Sequence, residues 1–136
     1  MPAGFAKNKQ PHVFPYGDMA AAVITGIPKT DEVYVFPASR EHVKGKPTTS
    51  FNGWSKGKIN FDKKCQVPNW TLHTLRKNFS TGLASLGVSP HVIERLLNHV
   101  VGELSEIART YNFHAYMDEM RSAIAKWEMH LKTILK

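Results

Sequence analysis

The sequence predicts an α+β fold that is mostly α-helical, with a small antiparallel β element near the N-terminus. Three observations carry this. Short β-branched and aromatic runs closed by proline fall in the first forty residues, and helix start and stop signals punctuate the second half. The last segment repeats its apolar residues at spacings of three and four. At 136 residues, with 42% hydrophobic and 21% charged side chains, the chain has the size and balance of one folded globular domain.

Taken in order, Lys7-Asn8-Lys9-Gln10 is a polar turn, and His12-Val13-Phe14 reads as a short strand stopped by Pro15. Its start is abrupt, like a hairpin short of its first strand, so a chain truncated at its N-terminus is expected. Asp18 caps a short helix over Ala20–Thr25, stopped by Gly26 and Pro28. Glu32-Val33-Tyr34-Val35-Phe36-Pro37 is a second brief strand, and residues 38–48 are a polar basic loop. Ser50 could then cap a helix carrying Phe51, Trp54, Ile59 and Phe61, against the opposing signal of Gly53 and Gly57.

The second half is more plainly helical. Leu72–Leu86 ends at Gly87, and Ser89-Pro90 opens a helix through Leu97. Gly102 opens a segment ending near Tyr111. The last helix, Ala115–Leu135, sets Met117, Met120, Ile124, Trp127, Leu131 and Ile134 on one face. Trp54, Trp70 and Trp127 read as packing residues.

Net charge is +7, unevenly placed: Arg40, Lys44, Lys46, Lys56, Lys58, Lys63 and Lys64 face only Glu41 and Asp62 over residues 40–64. Such a strip suits a polyanion, because each neutralised phosphate releases counterions. The single cysteine, Cys65, cannot form an intrachain disulfide. The N-terminus lacks the apolar run of a signal peptide, and Met19–Ile27 is too short to span a bilayer, so a cytoplasmic protein without membrane contact is expected. The histidines show no metal-ligand spacing.

The helical half also holds groups suited to a phosphodiester. His73 and Arg76 are three apart and share a helix face, His99 follows 23 residues after Arg76, and Tyr111 comes 12 later. An arginine forks onto two phosphate oxygens, imidazoles move protons near neutral pH, and a phenol can serve as a covalent nucleophile.

Thr71-Leu72-His73-Thr74-Leu75-Arg76-Lys77-Asn78-Phe79 resembles the His-x-x-Arg box of tyrosine recombinases, the phage-integrase family. Ile93-Glu94-Arg95-Leu96-Leu97-Asn98-His99-Val100 is similar to that family's Leu-Gly-His segment, with Asn98 in place of glycine. Ala108-Arg109-Thr110-Tyr111-Asn112, continued to Trp127, resembles the nucleophile segment and tail helix of prophage-type integrases. Lys7 through Pro15 is similar to the family's β-hairpin, whose catalytic lysine lies eight residues before the proline, at Lys7.

The resemblance implies a site-specific recombinase in which Tyr111 attacks the scissile phosphate, leaving a 3′-phosphotyrosyl link and a 5′-hydroxyl. No nucleotide cofactor or metal is needed. Arg76 would hold the non-bridging oxygens, His99 would donate to the same phosphate, His73 would move the proton of the nucleophile, and Lys7 would protonate the leaving oxygen. Lys44, Lys46, Lys56, Lys58 and Arg40 are the expected phosphate contacts. Partners would be double-stranded DNA at attachment sites and further copies of the chain in a synaptic complex.

The chain as a whole, residues 1–136, would be a partial catalytic domain. It departs from the family in lacking the upstream arginine and the N-terminal DNA-clamping domain, so weak or no activity of the isolated chain is expected. That departure supports an alternative, a non-catalytic DNA-binding module keeping only the phosphate-binding surface. A type IB topoisomerase would share the chemistry, and the prophage-like tail speaks against it.

Overall fold

The computed structural model describes residues 3–5, 9, 11–38, 49–65, 67–99 and 116–135. Among these are a 3-10 turn at Ala3–Phe5 and five α-helices: α1 (Asp18–Thr25), α2 (Trp54–Asp62), α3 (Leu72–Ser85), α4 (Pro90–Leu96) and α5 (Met117–Ile134). The chain divides into two compact units. One joins Met1–Ala22 to Thr71–Lys136, and the other is Val23–Trp70.

The expected β element is not present among the described residues, and the α+β assignment is corrected to a helical one. Residues 11–17 run without regular structure, and Glu32–Pro37 makes only an isolated antiparallel bridge between Pro37 and Ser50. The β-like residue types are there, but a strand needs a ladder of donors and acceptors. Pro11 and Pro15 bring no N–H to the first run. In the second, the Asp31 carboxylate accepts from the N–H groups of Val33 and Tyr34, both at 2.8 Å, and this local turn takes the donors that a ladder would use.

Helices α3, α4 and α5 make the core of the first unit. At the start of α3, Thr71 and Thr74 form a reciprocal capping box. Its end is a Schellman turn: Gly87 at φ +73° lets its own N–H reach the Ala84 carbonyl, at 3.0 Å, while Val88 N–H reaches Leu83, at 3.1 Å. Pro90 fits the first turn of α4, where its missing N–H costs nothing. Ser89 has the extended backbone of a cap, yet its hydroxyl sits 3.4 Å from His91 Nε2 and caps no N–H.

Leu83, Val92, Ile93, Leu96, Leu97, Met120 and Ala123 are buried together, with Phe79, Val88, Tyr116, Met117, Ile124 and Trp127 packed around them. Full burial of each large aliphatic side chain is worth about 1.5–3 kcal/mol. Trp127 lies against α3 at Gly82, where an added Cβ would meet its Cζ3 at 2.3 Å, and it meets Phe79 edge-on at 5.4 Å. Of the apolar stripe expected on α5, Met120 is buried and Met117, Ile124 and Trp127 are partly buried, whereas Ile134 is exposed.

Glu128 is the buried charged residue of this core, 9% exposed. Its Oε1 accepts from the Met19 N–H at 2.9 Å, so a carboxylate from α5 caps the first turn of α1 where Asp18 was expected to act.

In the second unit, α2 starts at Trp54 behind Gly53, and Ser50 pairs with Pro37 instead of capping it. Trp54 packs edge-on against Phe51 and Phe36 at 5.0 and 6.3 Å, although it stays half exposed. Trp70 closes the other end of the helix: Nε1 donates to Asp62 Oδ1 at 3.0 Å, and the ring meets Phe61 edge-on.

Candidate functional site

The candidate site lies in the first unit, at the carbonyl end of α4. The last carbonyls of a helix lack intrahelical donors and carry the negative end of its dipole, so cationic side chains are drawn there. Arg76, on α3, donates from Nη2 to the carbonyl of Leu97, the C-cap residue of α4. One of the five guanidinium N–H donors is used in this way. His73 is on α3 one turn before Arg76, exposed, as the three-residue spacing requires.

His99 reaches the same helix end through a second Schellman turn. Asn98 takes φ +55°, its N–H bonds the Arg95 carbonyl at 3.0 Å, and His99 N–H bonds the Glu94 carbonyl at 2.9 Å. Asparagine is the residue after glycine that best tolerates this left-handed conformation, so Asn98 preserves the backbone that a glycine would supply. The His99 ring then contacts Glu94 through Nδ1 and Oε2.

His12 joins this cluster. Burial lowers the pKa of its imidazole, a hydrogen bond to the Leu96 main chain opposes that shift, and the positive charge of Arg76 adds to the lowering. The ring also stacks on Phe14 at 5.0 Å. Arg76, His99, Glu94 and His12 are thus gathered around residues 96–97 from three separate stretches of chain. Basic donors at a helix end can bind the oxygens of an anion, and two imidazoles beside them can move protons.

His12 and Glu94 were not among the residues singled out in the sequence. His12 lies in a run that reads as a strand, and nothing local ties it to Arg76. Glu94 lies five before His99, a spacing that puts two residues on different faces of a continuous helix.

Lys7, Arg40, Lys44, Lys46 and Tyr111 lie outside the described residues, as does the segment from Gly102 to Tyr111. In the second unit, Lys56 is exposed and lines a concavity of about 370 Å³ with Ala38, Thr49, Phe51, Asn52, Gly53, Gly57 and Asn60. Lys58 is engaged within the protein: its ammonium pairs with Asp62 at 2.6 Å and sits 4.1 Å above the Trp70 ring. Among the described residues, no three His, Cys, Asp or Glu side chains are gathered as a metal site, and no helix is long and apolar enough to cross a membrane.

The chain is similar to transposases from transposons. It is 31% identical over 74 residues to the transposase from transposon Tn916 of Enterococcus faecalis, and equally so to the Tn1545 transposases of Streptococcus agalactiae and Streptococcus pneumoniae. The match covers 52% of this chain and 17% of each relative's length. No protein-family model and no solved structure matches the chain.

Proposed function

We propose that this chain is part of a DNA recombinase that cuts and rejoins strands through a tyrosyl phosphodiester, with Tyr111 as nucleophile. The observation that carries the reading is the gathering of Arg76 and His99, 23 residues apart in sequence, at one helix end. The similarity to enzymes named as transposases supports it from outside.

In this reading Arg76 binds non-bridging oxygens of the scissile phosphate with the N–H donors not used on Leu97, and these interactions strengthen as charge develops in the transition state. His99 donates to the same phosphate. His73 takes the proton of Tyr111 as the phenolic oxygen forms its bond to phosphorus, and the bond to the 5′-oxygen breaks. Lys7 protonates that departing oxygen, so one phosphoester replaces another without a nucleotide cofactor. Lys56 contacts the DNA backbone together with Arg40, Lys44 and Lys46, which positions the duplex without reading its bases. Lys58 does so only if its bond to Asp62 opens. Self-association on paired sites completes the proposal.

The test is a duplex nicked near the junction of the element and its host, so that the cut fragment diffuses away and the covalent intermediate accumulates. It is run on the 136-residue chain and on the full reading frame containing it. A DNA adduct from the full reading frame, weak or absent with the 136-residue chain, seen by denaturing gel and intact mass and abolished by Tyr111→Phe, is the expected result. Salt-sensitive binding of that duplex without any adduct would overturn the tyrosine chemistry and leave a non-catalytic DNA-binding module.

A further inference from the structure

The Glu94–His99 pair is created by the way α4 ends. On a continuous helix, residues five apart would point about 140° away from each other. The left-handed turn at Asn98 folds the chain back, so that His99 N–H bonds the Glu94 carbonyl and the two side chains meet as well. Both remain partly exposed, His99 at 47% and Glu94 at 35% of their side-chain surface. An ion pair at such a surface contributes little to stability. It does, however, decide how the ring is held: with Nδ1 facing the carboxylate, Nε2 is the nitrogen directed elsewhere. Arg76 is fixed to the same helix end by the Leu97 carbonyl.

We propose that Glu94 is a positioning residue that holds His99 by Nδ1 and presents Nε2 to the phosphate bound by Arg76. The proposal rests on the strand-transfer reading given above. A carboxylate can only accept, so Nδ1 carries a proton in both forms of the ring; Nε2 of the neutral ring is then an acceptor, and it is the charged ring that donates from Nε2 to the phosphate. Without Glu94 the ring would rotate and exchange tautomers, and each productive encounter with the phosphate would have to select one arrangement.

The first arm of the test is the ¹⁵N signature of the His99 ring in the 136-residue chain. The expected result is the Nδ1–H tautomer in the neutral ring of the unmodified protein, kept in Glu94→Gln, whose amide oxygen still accepts, and lost in Glu94→Ala. The second arm is the rate of adduct formation on the nicked duplex by the full reading frame. It should fall roughly 10- to 100-fold in Glu94→Ala, the range typical when the partner orienting a metal-bound histidine is removed. It should be largely restored in Glu94→Gln, with duplex affinity unchanged throughout.

An Nε2–H tautomer in the unmodified protein, or one that does not respond to Glu94→Ala, overturns the proposal. So does an unchanged adduct rate in Glu94→Ala. Absence of an adduct from every protein, the unmodified one included, refutes strand transfer instead, and the tautomer arm still decides whether Glu94 sets the ring.

Discussion

Replacing Glu128 tests how α1 is fastened to the first unit. Its carboxylate is 9% exposed and accepts the Met19 N–H at 2.9 Å. A hydrogen bond to a charged group is worth about 1.5–3 kcal/mol, and loss of a helix N-cap costs about 0.5–2 kcal/mol. Glu128→Ala should therefore cost about 2 kcal/mol, while Glu128→Gln, which keeps shape and an acceptor but no charge, should cost about half that. With a urea slope of roughly 1–3 kcal/mol/M, the alanine variant's midpoint should drop by about 1 M. Hydrogen exchange at the Met19 amide should quicken in both variants, and more in alanine.

Gly17 offers an independent route to the same defect. A Cβ there would lie 2.3 Å from the Glu128 carboxylate carbon, so Gly17→Ala should displace the cap. The double variant Gly17→Ala with Glu128→Ala should then cost clearly less than the sum of the singles, because the second change removes an interaction already lost. Wild-type stability in Glu128→Ala, or strict additivity in the double variant, would refute the capping argument.

Three further outcomes follow from the same geometry. Gly82→Ala gains helix propensity but sets a Cβ 2.3 Å from Trp127 Cζ3, and overpacking should win by about 1–3 kcal/mol in thermal melts, with partial recovery when Trp127→Leu makes room. Asn98→Ala should cost about 1 kcal/mol for a left-handed residue, and Asn98→Gly less, as measured by urea unfolding. Burial holds the folded-state pKa of His12 below that of the unfolded chain, so the unfolded state binds the proton first. Its stabilising contribution is complete above about pH 6.5 and is lost as pH falls through and below that value. His12→Asn should flatten the stability profile on the acid side relative to wild type, and parallel profiles would exclude His12 as the cause.

The helices were readable because their signals are local. Leu72–Leu86 was expected where Leu72–Ser85 forms, and Ala115–Leu135 where Met117–Ile134 forms, since caps and a repeat of three and four residues need no knowledge of distant neighbours. The strands at His12-Val13-Phe14 and Glu32–Pro37 were misread for the complementary reason. Strand-like residue types say nothing about whether a partner edge is present, and Asp31 diverts the N–H groups of Val33 and Tyr34 into a turn.

In the candidate site, the shared face of His73 and Arg76 follows from spacing alone, whereas the approach of His12 to Arg76 depends on tertiary packing. The meeting of Glu94 and His99 depends on a change of backbone sign at Asn98, which an asparagine permits but does not announce. The pairing of Lys58 with Asp62, an i, i+4 contact on α2, was not drawn from the sequence, where Lys58 is expected to contact phosphate, and it bears directly on how readily that lysine can reach one.

The division of the chain bears on where it can be lengthened. One unit is assembled from Met1–Ala22 and Thr71–Lys136, so Val23–Trp70 is an insertion, in sequence, between its two stretches. The entropy of closing a flexible connection grows only logarithmically with its length, so each doubling costs about 0.6 kcal/mol. Lengthening a flexible stretch within Val23–Trp70 should therefore cost the α3–α5 core little stability.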